Sequence, residues 1–144
     1  MEEQRQRVPS EVLKRGYSDD EVSHIYELGR FFLENGDLWR AEVILRGLSE
    51  IAPEYAPAWL GMCYIHSCSK SLDNAITAAR KALLADPGFT EASLALAATL
   101  MSSGDYNTAG TLLGEIGEKI EDGLVDDPQV IRFFKGQLAR YQNR

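Results

Sequence analysis

The stretches "ENGDLWRA" (residues 34–41) and "SSGDYNTA" (residues 102–109) decide the fold. Each places a Gly-Asp pair ahead of a bulky residue and an alanine, and they lie 68 positions apart, twice 34. Halfway between them stands "CSKSLDNA" at 68–75. Shifting the chain against itself by 34 superposes Ala41, Ala75 and Ala109, and brings Pro53 onto Pro87. A fixed period of this length marks stacked supersecondary units rather than a single irregular core.

The same shift stacks Ile25, Trp59 and Ser93, then Leu28, Met62 and Leu96, then Gly29, Cys63 and Ala97, then Phe32, His66 and Leu100. Large and small residues recur at helical spacing, as do Leu45, Ala79 and Leu113 in the second half of each unit. Each unit therefore reads as a helical hairpin. A small residue at Gly29, Cys63 or Ala97, set against Ala41, Ala75 or Ala109, allows close helix approach. Gly36 and Gly104 suit the left-handed end of a first helix, and Asp37, Ser71 and Asp105 are expected to accept bonds from the amides that open the second. Lys70 stands where the glycine would be in the middle unit, which weakens that turn. Pro53 and Pro87 end the hairpins because proline cannot continue a helix.

Composition sets the outer limits. A chain of 144 residues with 44% hydrophobic content fits one domain, 1–144, able to bury roughly 70% of its unfolded surface. A net charge of -7 argues against a nucleic-acid partner or an anionic lipid surface. No apolar run approaches the roughly 20 residues that cross a bilayer, and "MEEQRQRVPS" is too polar for a signal peptide, so a soluble, cytoplasmic protein is expected. Cys63 and Cys68 flank His66 without further ligand clusters, so neither a metal nor a cofactor is expected, and both cysteines are expected to be buried thiols. The motifs of hydrolases, metalloproteases and nucleotide-binding loops are missing, and the two histidines fall on different helices; the pattern is not that of an enzyme.

The ends differ from the repeats. Ser18 and Glu21 in "YSDDE" form a capping box that starts the first repeat helix near Asp19. Before it, the segment 1–18 contains "PSEVLKR", a short helix carrying Val12 and Leu13, read either as a frayed tail or as a docking or dimerisation segment. Residues 128–143 place Val130, Ile131, Phe134, Leu138 and Tyr141 on one side of a capping helix, and Arg132, Lys135, Arg140 and Arg144 give this end of the chain a local charge of +4. Gly110, Gly114 and Gly117 share a helix face at a cost of about 1 kcal/mol each relative to alanine, which close packing against that capping helix, or against a partner helix, would offset.

These residues resemble the tetratricopeptide repeat, a 34-residue helix–turn–helix unit. Leu28, Gly29, Phe32, Ala41, Leu45 and Pro53 match in unit 22–55, and Trp59, Ala75, Ala82 and Pro87 in unit 56–89; unit 90–123 departs, with Ser93 and Glu121 at the tryptophan and proline positions. The resemblance implies an all-α fold of three hairpins in a right-handed superhelix, with a short N-terminal helix and a C-terminal cap. It also implies a concave groove lined by the first helices, carrying Tyr26, Arg30, Leu33, Leu60, Tyr64, Leu94, Ala98 and Met101 as an apolar strip with one cation. The groove type that grips acidic chaperone tails has basic or amide side chains where this chain has Tyr26, Gly61, Glu91 and Ala95, so an amphipathic helix or an extended peptide with apolar anchors suits it better.

The stretch "LKRGYSDDEVSHIYELGRFFLENGDLWRAEVILRGLSEIAPEYAPAWLGMCY" is similar to the repeat-type chaperones of bacterial type III secretion. That resemblance implies a cytoplasmic chaperone holding a needle subunit or translocator unassembled, alone, as a homodimer, or with a co-chaperone. The alternative is a scaffold or adaptor of this repeat type in another complex.

Overall fold

The computed structural model describes residues 16–144, and the expected N-terminal helix at Val12 and Leu13 lies outside them. Among the described residues every regular element is a helix: α1 (Asp19–Glu34), α2 (Leu38–Ile51), α3 (Ala56–Cys68), α4 (Leu72–Ala85), α5 (Thr90–Ser103), α6 (Tyr106–Glu121) and α7 (Pro128–Gln142). The chain is all-α.

Local signals place the helix ends. Ser18 accepts from the Glu21 amide at 3.1 Å and the Glu21 carboxylate takes the Ser18 amide at 2.8 Å, completing the capping box. The turns α1–α2, α3–α4 and α5–α6 share one geometry. A residue in the left-handed region, Gly36 at φ 80°, Lys70 at φ 60° and Gly104 at φ 96°, is followed by an amide bonded back to the first helix. Those return bonds run from Asp37 to Phe32, from Ser71 to His66 and from Asp105 to Leu100. The lysine has not changed the turn; it has been forced into a conformation that suits glycine. Asp37 and Asp105 accept from the amides of Arg40 and Thr108 as expected, but Ser71 caps no amide. Its hydroxyl takes a hydrogen bond from the Asn74 side chain instead.

The prolines act as stops. Pro53 and Pro87 each follow the residue that caps α2 or α4. At the end of α6, where Glu121 replaces the proline, Gly123 at φ 76° closes the helix through a Leu124-to-Lys119 bond of 2.9 Å.

Burial grades along the array. The central helices α3 and α5 each pack against helices on several sides, and α5 buries Leu94, Leu96, Leu100 and Met101 within the main core cluster. Their sequences are apolar almost all round, as a helix with neighbours on most faces requires. By contrast α7 contains no fully buried residue, although Val130, Phe133, Phe134 and Tyr141 pack on that core.

Candidate partner-binding groove

Two glycines on neighbouring helices set the floor of the groove. A Cβ on Gly29 of α1 would stand 2.7 Å from the Cδ2 of Leu45, and one on Gly61 of α3 would stand 2.6 Å from its Cδ1. Leu45 of α2 is fully buried and wedged between them, so α1 and α3 both close onto one side chain. The expected partner of Gly29 was Ala41; the structure places Leu45 and Ile44 there. Above this floor lies a cleft of about 670 Å³ lined by Tyr26, Arg30, Leu33, Leu60, Gly61 and Tyr64, with Phe89, Glu91, Asp127 and Gln129 along its far side.

The polar groups in the cleft are ordered by one another. Tyr64 donates to a Glu91 carboxylate oxygen at 2.9 Å. Burial, reinforced by the nearby Glu91 charge, pushes its phenol far above the ordinary range, so it remains a neutral donor. Tyr26 packs edge-on against Tyr55 at 5.6 Å, and burial raises its phenol too, against the opposing pull of Arg30. Arg30 donates to Glu34 at 2.8 Å and lies 3.9 Å from Glu27. Its cation is shared with its own helix.

Five of the eight residues proposed for the groove meet in this cleft: Tyr26, Arg30, Leu33, Leu60 and Tyr64. The expected continuation of an exposed apolar strip along α5 does not exist. Leu94 and Met101 are 0% and 2% exposed, and even Leu60 retains only 4% at the edge of the cleft. Ala98 is covered from outside: Arg140 of α7 donates to its carbonyl oxygen at 3.3 Å and to the Ser102 hydroxyl at 2.8 Å. The capping helix thus occupies the third-unit end of the concave face.

Sequence reasoning did not place Phe89, Asp127 and Gln129 on the cleft. Asp127 reads locally as a helix cap before Pro128, and it does accept from the Gln129 amide; its second position, opposite Tyr64 and Glu91, depends on the docking of α7. The cysteines part company. Cys63 is buried, its thiol pushed up by burial and 3.9 Å from the Thr99 hydroxyl, whereas Cys68 is exposed at the last turn of α3 rather than buried as expected. Among the described residues no group of three or more His, Cys, Asp or Glu side chains converges as metal ligands.

The glycine face of α6 also finds its partner. The Tyr141 hydroxyl lies 2.5 Å from where a Cβ of Gly110 would be, and Phe134 lies 3.3 Å from that of Gly117. Close packing of α7 explains these two, while Gly114 faces open space.

Hairpins on a 34-residue period, with concave first helices and a stacked terminal helix, define a known architecture. Residues 69–130 match the tetratricopeptide repeat family. The chain has a tetratricopeptide-repeat (TPR) fold. It is similar to the type III secretion translocator chaperone SycD of Yersinia enterocolitica, at TM-score 0.77 and 16% identity over 90% of this chain and 86% of that one. The same chaperone in complex with a peptide of the translocator YopD aligns at TM-score 0.73 and 17% identity, over 87% and 95% of the two chains. The TPR2B domain of yeast Sti1, in a complex with an Hsp70 peptide, aligns at TM-score 0.74 and 20% identity over 85% and 98%. At these identities the likeness establishes the TPR fold and not the partner. No curated protein matches the sequence. Among the described residues no helix is long and apolar enough to cross a membrane.

Proposed function

We propose that this TPR protein is a chaperone that holds a type III secretion substrate, a needle subunit or a translocator, soluble and unassembled in the bacterial cytoplasm. The observation that carries the reading is the cleft over Leu45: it is open and presents two aromatic rings and Leu33 on a fold shared with a chaperone that binds a translocator peptide. The client's apolar segment lies on Tyr26, Leu33 and Tyr64, and shielding that segment prevents premature assembly. No bond is made or broken, so the role needs binding geometry and no catalytic group. Burial of about 800 Å² on each partner suffices for a specific complex, which means that the segment extends beyond the cleft along α1 and α3.

The similarity to the Sti1 domain favours a second reading, that of an adaptor within another complex. An acidic tail is the wrong ligand for this cleft, since Glu91 meets whatever enters.

Affinity capture from the native bacterium, followed by the native mass of what is recovered, tests the proposal. A small, aggregation-prone secreted protein at fixed stoichiometry is expected, and it should be lost on Leu33→Glu with unchanged helical content. Subunits of a resident assembly in its place, or a client retained by the folded Leu33→Glu variant, would overturn the groove-chaperone reading.

A further inference from the structure

The cleft has a charge asymmetry that bears on what enters it, and the inference drawn from it rests on the groove reading above. Four ionisable side chains besides the two tyrosines face the cavity: Arg30, Glu34, Glu91 and Asp127. Arg30 and Glu34 satisfy each other at 2.8 Å. Among the described residues, neither Glu91 nor Asp127 forms an ion pair; Glu91 accepts from Tyr64 and Asp127 from the Gln129 amide. These two carboxylates come from different helices, α5 and the cap of α7, yet they share a smaller hollow with Val130 and Phe133 that opens beside the main cleft. An apolar wall with an anionic corner is therefore built where α1, α3, α5 and α7 meet.

We infer that the groove-bound segment of the client carries a lysine or arginine next to its apolar anchor, with the anchor on Tyr26, Leu33 and Tyr64 and the cation between Glu91 and Asp127. Among the described residues neither carboxylate is engaged in a salt bridge, so a partner cation gains attraction without displacing an existing pair. The phenol of Tyr64 fixes the Glu91 carboxylate at the rim, and the cap bond fixes Asp127, so little side-chain freedom is lost when the cation arrives. A net charge of -7 on the whole chain adds long-range attraction of the same sign. The same corner rejects an acidic flank by like-charge repulsion.

The test uses three synthetic peptides with one shared amphipathic pattern of leucine and valine anchors and with lysine, glutamine or glutamate at the flanking positions. Binding is read by fluorescence anisotropy. The lysine peptide is expected to bind about three- to tenfold more tightly than the glutamine peptide, and the glutamate peptide least well, with the advantage shrinking at high salt. In the Glu91→Gln, Asp127→Asn double variant the preference disappears while glutamine-peptide affinity is retained, because both amides keep the accepting oxygen that Tyr64 and the cap require. Equal affinities for all three peptides, with binding still lost on Leu33→Glu, would overturn the charge inference and leave the groove reading intact. A lysine preference that persists in the double variant would also overturn it. If none of the three binds, the groove reading falls and takes the inference with it.

Discussion

The two ends of the concave face differ although the repeat that builds them is the same. At the N-terminal end Tyr26, Leu33 and Tyr64 stand open over a floor locked by Leu45 between two glycines. At the C-terminal end the equivalent surface of α5 is closed by α7, which holds Ala98 and Ser102 through Arg140. A repeat array thus presents binding surface only where no later element of the chain settles on it. The floor is made of buried apolar contacts, the lid of half-buried rings and an arginine, so the two ends should differ in stability as well as in access.

Leu45→Ala probes that difference most strongly. Removing a fully buried leucine that two helices share should cost about 3 kcal/mol by denaturant unfolding and should collapse peptide binding at the open end. A loss under about 1 kcal/mol would mean that the floor is no stiffer than the lid. Arg140→Ala acts on the other end. It should lower the local stability of α7 by about 1 kcal/mol, seen as faster amide exchange in residues 128–142 with α3 unchanged. Equal acceleration in α3 would show that the ends are one cooperative unit and break the comparison.

Lys70→Gly addresses the middle. Relieving a left-handed non-glycine residue should raise global stability by about 0.5 to 1 kcal/mol, a gain shared by both ends because the turn joins α3 to α4 in the core. The smallest effect is in pH. His66 on α3 has its imidazole pKa lowered, first by partial burial and then by Arg46, so the folded state disfavours the proton relative to the unfolded chain. Its contribution is therefore complete above the unfolded pKa, near 6.5, and is lost as pH falls through the lower folded value. Thermal unfolding between neutral and mildly acidic pH should show a drop in Tm that His66→Gln reduces; an unchanged drop would assign it to other groups.

How much of this was written in the sequence can be judged residue by residue. The Gly-Asp turns, the Ser18 box and the proline stops follow local rules, because a cap or a left-handed turn needs only its own neighbours. The resemblance to the repeat assigned Tyr26 and Tyr64 to the concave side, and it carried over because helical phase is a property of one helix. What failed was access. Leu94 and Met101 occupy concave positions by phase, yet they are covered because α5 lies between α3 and α7, and the position of α7 depends on ring packing at Gly110 and Gly117 that no spacing within α5 encodes. Asp127 was invisible for a related reason, since its cap role is local and its place on the cleft is tertiary. Cys68 is the last residue of α3 and is exposed, where a buried thiol was expected.

The left-handed stop at Gly123 has a consequence for how such a protein can lengthen over evolution. The earlier units hand over through a proline two residues past a 14-residue second helix, whereas α6 runs to 16 residues and turns on glycine, about 3 Å further along its axis. A duplicated hairpin spliced in at Pro53 or Pro87 inherits a matching junction on both sides. One appended after α6 meets a turn of the wrong pitch and must first evict α7.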